Sequence, residues 1–199
     1  RSGTLIKTFI YNHSFLKDGE YHDAFFCDMV PYLEKKGPVF IFANILGDYE
    51  SSLAKIAKAR ATIIPMEYLA GPLEILQSHW QALTYRIKLK EQMRFADLPI
   101  TRTVNNELRG TLCRIRPYQL LHFAYMRNLL KMIKVEQFIT SFENNPWEKM
   151  CFLAFKQFSP STTITGYQHT VVPQASVNMF ISRYEKDIIP HPDRLLTVG

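Results

Sequence analysis

Two side chains in this sequence have the chemistry of a proton-transfer pair. They are Glu143 in SFENNPWEKM and His169 in TGYQHT. A carboxylate can take up a proton or orient an imidazole, and an imidazole titrates near neutral pH. Each residue closes or follows an apolar run that reads as a strand, so each is expected at a strand's carboxyl end. Asn12 and His13 come after the first such run, Asn144 adjoins Glu143, and Gln168 and Thr170 flank His169. These five are candidate substrate contacts. Two other readings stay open: Glu143 as a carboxylate favoured by the positive end of the helix that follows it, and His169 as a loop histidine.

The remaining histidines carry less. His79 and His122 sit in apolar helical stripes and read as core or boundary residues. His13 and His22 flank a polar loop, and His191 lies between two prolines in IPHPD. No HExxH or comparable ligand spacing occurs, so no metal site is expected. There is no GxxxxGK[ST], and no GxGxxG after the first strand, so no nucleotide cofactor is expected either. Gly166 alone is a weak signal. Helix entries could still hold an anion through free N–H groups.

These residues need a scaffold that gathers strand ends. Residues 4–11 (TLIKTFIY) read as a first strand and residues 24–37 as a helix that Pro31 should kink or whose first turn it should mark. Residues 38–45 (PVFIFANI) form a nearly continuous apolar run, as in a strand covered on both faces. Asp48 can cap the next helix, and 61–66 is a third strand. Residues 72–94 read as a long helix in which Leu73, Leu76, His79, Trp80, Leu83 and Ile87 recur at helical spacing. Residues 94–110 read as a connection broken by Pro99 and Gly110, and 111–133 as a second long helix, with Pro117 as its alternative start. Residues 135–143, 162–169 and 194–199 are further strands, with a helix over 144–158 entered through Asn145 and Pro146. Alternating strands and helices predict an α/β, Rossmann-like open and mostly parallel sheet of about six strands, with helices on both faces. Ligands of such sheets gather at the carboxyl ends of the strands.

Composition sets outer limits. The 199 residues are 47% hydrophobic and 21% charged, a globular balance that fits one domain. Twenty-four basic residues against 18 acidic give +6, a modest pull toward anionic partners. Arg86, Lys88, Lys90 and Arg94 form one basic cluster, and Arg109, Arg114, Arg116 and Arg127 another. A solvated face, or attraction to anionic lipid head groups or an acidic polymer, accounts for both. No nucleic-acid-binding pattern is present. Cys27, Cys113 and Cys151 are odd in number and far apart, which reads as reduced, buried thiols in the cytoplasm.

The order SFENNPWEKM, TITGYQHTVVPQ, PHPDRLLTVG at successive strand ends resembles the N-terminal half of GT-B-type glycosyltransferases of bacterial surface-polysaccharide synthesis. It is also similar in shape to CDP-glycerol phosphotransferases. The resemblance covers the last third of the chain. It departs at Thr170, where members often have Gly. It implies an acceptor-side domain over residues 1–199 whose partner half, carrying most of the nucleotide-sugar site, lies beyond Gly199. On that reading Glu143 or His169 takes the acceptor hydroxyl proton, Asn12, His13, Asn144, Gln168 and Thr170 contact the acceptor, and no metal is needed. The partners implied are a glycan or lipid-linked acceptor and a nucleotide-sugar donor, with peripheral contact at an anionic membrane and no nucleic acid. A non-catalytic glycan-binding or scaffold module, and a glycerol- or ribitol-phosphate transferase, are the alternatives.

Overall fold

Apolar runs become strands of one parallel sheet. In the computed structural model the described residues are 2–16, 19–84, 92–114, 116–168, 179, 183, 185 and 187–197, with only the backbone described over 108–114. The strands among them are β1 (Ser2–Ile10), β2 (Val39–Ile45), β3 (Thr62–Pro65), β4 (Arg94–Phe95), β5 (Leu98–Pro99), β6 (Lys134–Ser141), β7 (Thr163–Gln168) and β8 (Arg194–Thr197). Six of them form a sheet in the order β3-β2-β1-β6-β7-β8. Every neighbouring pair in it is parallel. The helices are α1 (Met29–Glu34), α2 (Tyr49–Ile56), α3 (Pro72–Thr84), α4 (Thr101–Arg114), α5 (Arg116–Met132) and α6 (Pro146–Phe158). The fold is α/β and Rossmann-like, as the alternation predicts.

Side chains alternate across β1, and both faces are apolar. Leu5, Phe40, Phe42, Phe138 and Ile164 pack under α5 and α6 against Met126, Leu129, Phe152 and Phe155. Ile6, Ile10, Ile41 and Ile139 pack on the other face with Phe26 and Val30. Burial on both faces is why β1 and β2 read as unbroken hydrophobic runs.

The local signals act where expected. Asp48 caps α2, its Oδ1 accepting from the Ser51 N–H at 3.0 Å. Pro117 and Pro146 fall in the first turns of α5 and α6, where a missing N–H costs no helical bond. Pro31 sits in the first turn of α1. Gly166 has a packing role: a Cβ there would lie 2.9 Å from the Phe142 Cβ, so glycine lets Phe142 seat over β7.

Two expectations fail between β3 and β6. Of the long helix expected over 72–94, α3 is described as far as Thr84, residues 85–91 lie outside the described residues, and the chain makes the β4–β5 hairpin at Arg94–Pro99. Its turn residues Ala96 and Asp97 both have positive φ, 45° and 66°, as a tight antiparallel turn demands. The supposed connection of 94–110 then becomes α4. Pro99 stands ahead of the helix instead of inside it, and Gly110 is absorbed into its interior. The apolar stripe of α3 is also not core: Leu73, Leu76, His79, Trp80 and Leu83 are exposed. Of the cysteines, Cys151 is buried but Cys27 is exposed, contrary to expectation. The side chain of Cys113 lies outside the described residues.

Candidate functional site

The sheet reverses its order between β1 and β6. Successive strands β1, β2 and β3 step one way, and the chain then returns to lay β6 on the other side of β1. At such a switch point the loops beyond two adjacent strands turn away from each other and leave a crevice. β1 brings Asn12 and His13 to that edge, and β6 brings Glu143 and Asn144. β7 lies beside β6, with Ser141 opposite Tyr167 and the Phe142 N–H donating to the Tyr167 carbonyl at 2.9 Å. Glu143 and Gln168 therefore leave neighbouring strands. His169 and Thr170, predicted to complete this set, lie outside the described residues.

The loop carrying Glu143 is built by α6. Glu148, fully buried, accepts from the Glu143 N–H at 3.1 and 3.2 Å and from the Asn145 N–H at 3.0 Å. Asn145 and Glu148 form a reciprocal capping box at the start of α6. Asn145 Nδ2 also donates to Glu143 Oε2 at 3.2 Å. Between them Asn144 is buried and held at φ 56°, a conformation that asparagine tolerates better than most residues. The helix-terminal carboxylate of this segment is thus Glu148, while Glu143 stands half-buried at the strand end. Burial pushes the Glu148 carboxyl up to about 8, against the lowering effect of the two backbone N–H groups.

No protein-family model matches this chain, no curated protein matches it, and no solved structure matches it. Its chemistry rests on its own geometry.

That geometry contains a buried cation absent from the predicted set. Lys7 is fully buried in β1, on the face of the sheet that α5 and α6 cover. Its Nζ lies 4.2 Å from the Phe9 ring centroid, 4.7 Å from that of Trp147 and 5.8 Å from that of Phe42. It reaches the Thr8 carbonyl at 3.5 Å. The ion pair among the described residues is Arg127–Glu74 at 3.5 Å, and Lys7 takes no part in it. Desolvation lowers the Lys7 ammonium to about 8, opposed by the fields of Cys151, Glu148 and Glu67.

Aromatic rings link this cation to the end of β2. Trp147 packs 5.4 Å from His122, and His122 packs 4.5 Å edge-on from Tyr118. Tyr118 Oη accepts from Asn44 Nδ2 at 3.0 Å. His122 is buried, as its apolar surroundings predicted. Its Nδ1 lies 2.9 Å from the Tyr118 carbonyl, and its Nε2 has no hydrogen-bond partner among the described residues. Burial, then the Lys7 ammonium, hold its pKa down at about 4. Lys7 was legible as a charged residue inside an apolar parallel strand, a position that charge seldom occupies. The partners of His122 and Trp147 had no such signal, because only the fold brings α5 and α6 together over β1.

The other predicted contacts have structural duties. Asn12 Oδ1 accepts from Ser52 Oγ at 3.3 Å, and the Asn12 carbonyl accepts from Lys55 Nζ at 3.2 Å, which ties the end of β1 to α2. His13 is exposed and stacks on Tyr11 at 5.1 Å. A groove of about 610 Å³ opens where α3 ends and α5 begins, lined by Gln81, Thr84, Arg116, Gln119, Leu120 and Met150. It touches none of the predicted site residues that are described. Among the described residues no group of three His, Cys, Asp or Glu side chains could hold a metal ion. Among them, too, no helix is long and apolar enough to cross a membrane.

Proposed function

We propose that this chain is the acceptor-side domain of a glycosyltransferase that moves a sugar from a nucleotide-sugar donor to a cell-envelope glycan or lipid-linked acceptor. The observation that carries the reading is the position of Glu143. It stands at the end of β6, beside the switch point, on a loop held by the fully buried Glu148. In the reaction the acceptor hydroxyl oxygen bonds to the anomeric carbon as the bond from that carbon to the donor phosphate oxygen breaks. The nucleotide leaves with the electron pair, and the hydroxyl proton passes to Glu143 or to His169, which follows Gln168 in the sequence. Asn12, His13, Asn144, Gln168 and Thr170 are assigned to the acceptor side. Lys7 contributes a buried positive charge on the α5–α6 face of the sheet, in a medium where charge acts at longer range than in water.

The test is transfer of labelled sugar from a panel of nucleotide sugars by the full-length protein, with Glu143→Gln and His169→Ala. A general base contributes on the order of 10² to 10⁴ in rate, so a loss of that size in one or both variants is expected. Wild-type rates in both would remove these residues from the mechanism. CDP-glycerol belongs in the panel: turnover of it alone would make the protein a phosphotransferase. Glycan binding without turnover of any donor would make it a binding module.

A further inference from the structure

Helix α3 turns its large apolar residues away from the core. Its buried positions are small, Ser78 and Ala82. Leu73 is 63% exposed, Leu76 67%, Trp80 67% and Leu83 61%. The roll of the helix is set by polar bonds to α5. Glu74 pairs with Arg127 at 3.5 Å and accepts from Asn128 Nδ2 at 3.4 Å, while the same Nδ2 donates to the Leu69 carbonyl at 2.8 Å. The four apolar residues follow one another at steps of three, four and three. That alternation is the seam of a two-helix pair, narrower than the arc a helix usually turns to a core. At about 100° per residue it spans roughly 80°, opposite Ser78 and Ala82, and it runs about 15 Å along the axis.

Charge and area narrow the choice of partner. The exposed residues flanking the seam are Pro72, His79, Gln77 and Thr84. The seam and its rim therefore hold no carboxylate, ammonium or guanidinium. A charged partner finds no counter-charge there, whereas an uncharged apolar helix fits, and every copy of this chain carries one. Two copies meet along the seam without setting like charges together. At these exposures the four side chains offer about 500 Å² per copy, so a pair would bury about 1,000 Å² before the rim is counted, which is where specific interfaces begin. We infer that the outward face of α3, from Leu73 to Leu83, is the contact of a symmetric dimer in which α3 pairs antiparallel with α3 of a second copy. A two-fold axis across the middle of the seam sets Leu76 against Trp80 of the partner subunit and Leu73 against Leu83 of the partner subunit. Each indole then meets a leucine, and the two helix dipoles oppose. The inference does not rest on the transferase reading, because neither donor nor acceptor enters it.

The experiment is sedimentation of the chain over a concentration series, with tryptophan emission recorded at each point. A dimer with a dissociation constant on the order of micromolar is expected, little weakened by salt. Emission should shift to the blue as it forms. Trp80→Phe keeps an apolar ring, so it should still dimerise while losing the shift, which assigns the signal to Trp80 and not to Trp147. Leu73→Glu/Leu83→Glu sets carboxylates together at both ends of the seam and should weaken the dimer by about 100-fold or more. Leu73→Glu/Leu83→Lys makes two opposite-charge pairs across the same contacts and should dimerise at least about tenfold more tightly than the first double variant. Both positions are exposed in the single chain, so far-UV dichroism of each variant should match that of the wild type. A chain that stays monomeric at about 100 μM would overturn the inference. So would a monomer whose Trp80 emission is already blue, the seam then being covered by the chain itself, or one whose emission moves only when lipid vesicles are added. Equal sedimentation of the wild type and Leu73→Glu/Leu83→Glu would place the contact elsewhere. Equal weakening in the two double variants would overturn the antiparallel pairing.

Discussion

Lys7 is the residue whose presence most needs a reason. An ammonium buried among Phe9, Phe42 and Trp147 gains cation–π attraction but loses its hydration. Its pKa falls from 10.5 to about 8. Between those two pH values the unfolded chain binds more protons at this site than the folded chain does, so stability from this group rises with pH across that window. Below about 8 both states are protonated and the full desolvation cost applies, on the order of 3 kcal/mol. Lys7→Met keeps the volume and removes the charge. Thermal melts should show the variant more stable than wild type at pH 7, by about 1–3 kcal/mol, with the gap closing as pH approaches 10. A less stable Lys7→Met at pH 7 would mean that the ammonium supports the fold. In the transfer assay the variant should be slower despite its stability, the expected exchange when a strained group serves the site.

At the scale of elements, the segment from β6 into α6 separates structure from chemistry. Glu148 accepts from the backbone N–H groups of Glu143 and Asn145, whereas the Glu143 carboxylate accepts from the Asn145 side chain. Glu148→Ala should therefore lower stability by about 1–3 kcal/mol and abolish transfer as the loop relaxes. Glu143→Ala should abolish transfer while costing less than about 1 kcal/mol, since its carboxylate is only half-buried. Paired melts and rate measurements check this, and an equal stability loss in both variants would refute the division of labour. Burial raises the Glu148 carboxyl from 4.5 to about 8, so its contribution is fully present below 4.5 and is lost as pH rises through 8. Much of this segment was readable in the sequence: Asn145 and Pro146 are local start signals that depend on no distant residue. Which glutamate caps α6 and which stands at the strand end was not readable, because both are compatible with a helix N-terminus. The hairpin at 94–99 and α4 were missed for a related reason. Pro99 breaks a helix only from its interior and stands ahead of α4, while Gly110 lies inside α4 at a cost of about 1 kcal/mol relative to alanine that the rest of the helix offsets. His169 belongs to the sequence argument alone.

Across the whole molecule, the connection that returns the chain from β3 to β6 carries much of the exposed apolar surface among the described residues. It creates the switch point, carries the outward stripe of α3, and adds a hairpin whose Phe95 and Leu98 are 72% and 66% exposed. By contrast β1 and β6 are flanked by strands on both sides and covered by helices on both faces. Local opening is easiest where few apolar contacts are buried and hardest in central strands. Hydrogen exchange should therefore rank the amides of Leu5–Thr8 and Phe138–Ser141 as the slowest, opening only with global unfolding, while those of 94–107 exchange among the fastest in regular structure. Equal protection of the two regions would mean that the excursion is part of the folding core, and its exposed apolar residues would then need an intramolecular explanation. If the ranking holds, the crevice residues sit on the rigid part of the molecule and the outward face on the compliant part.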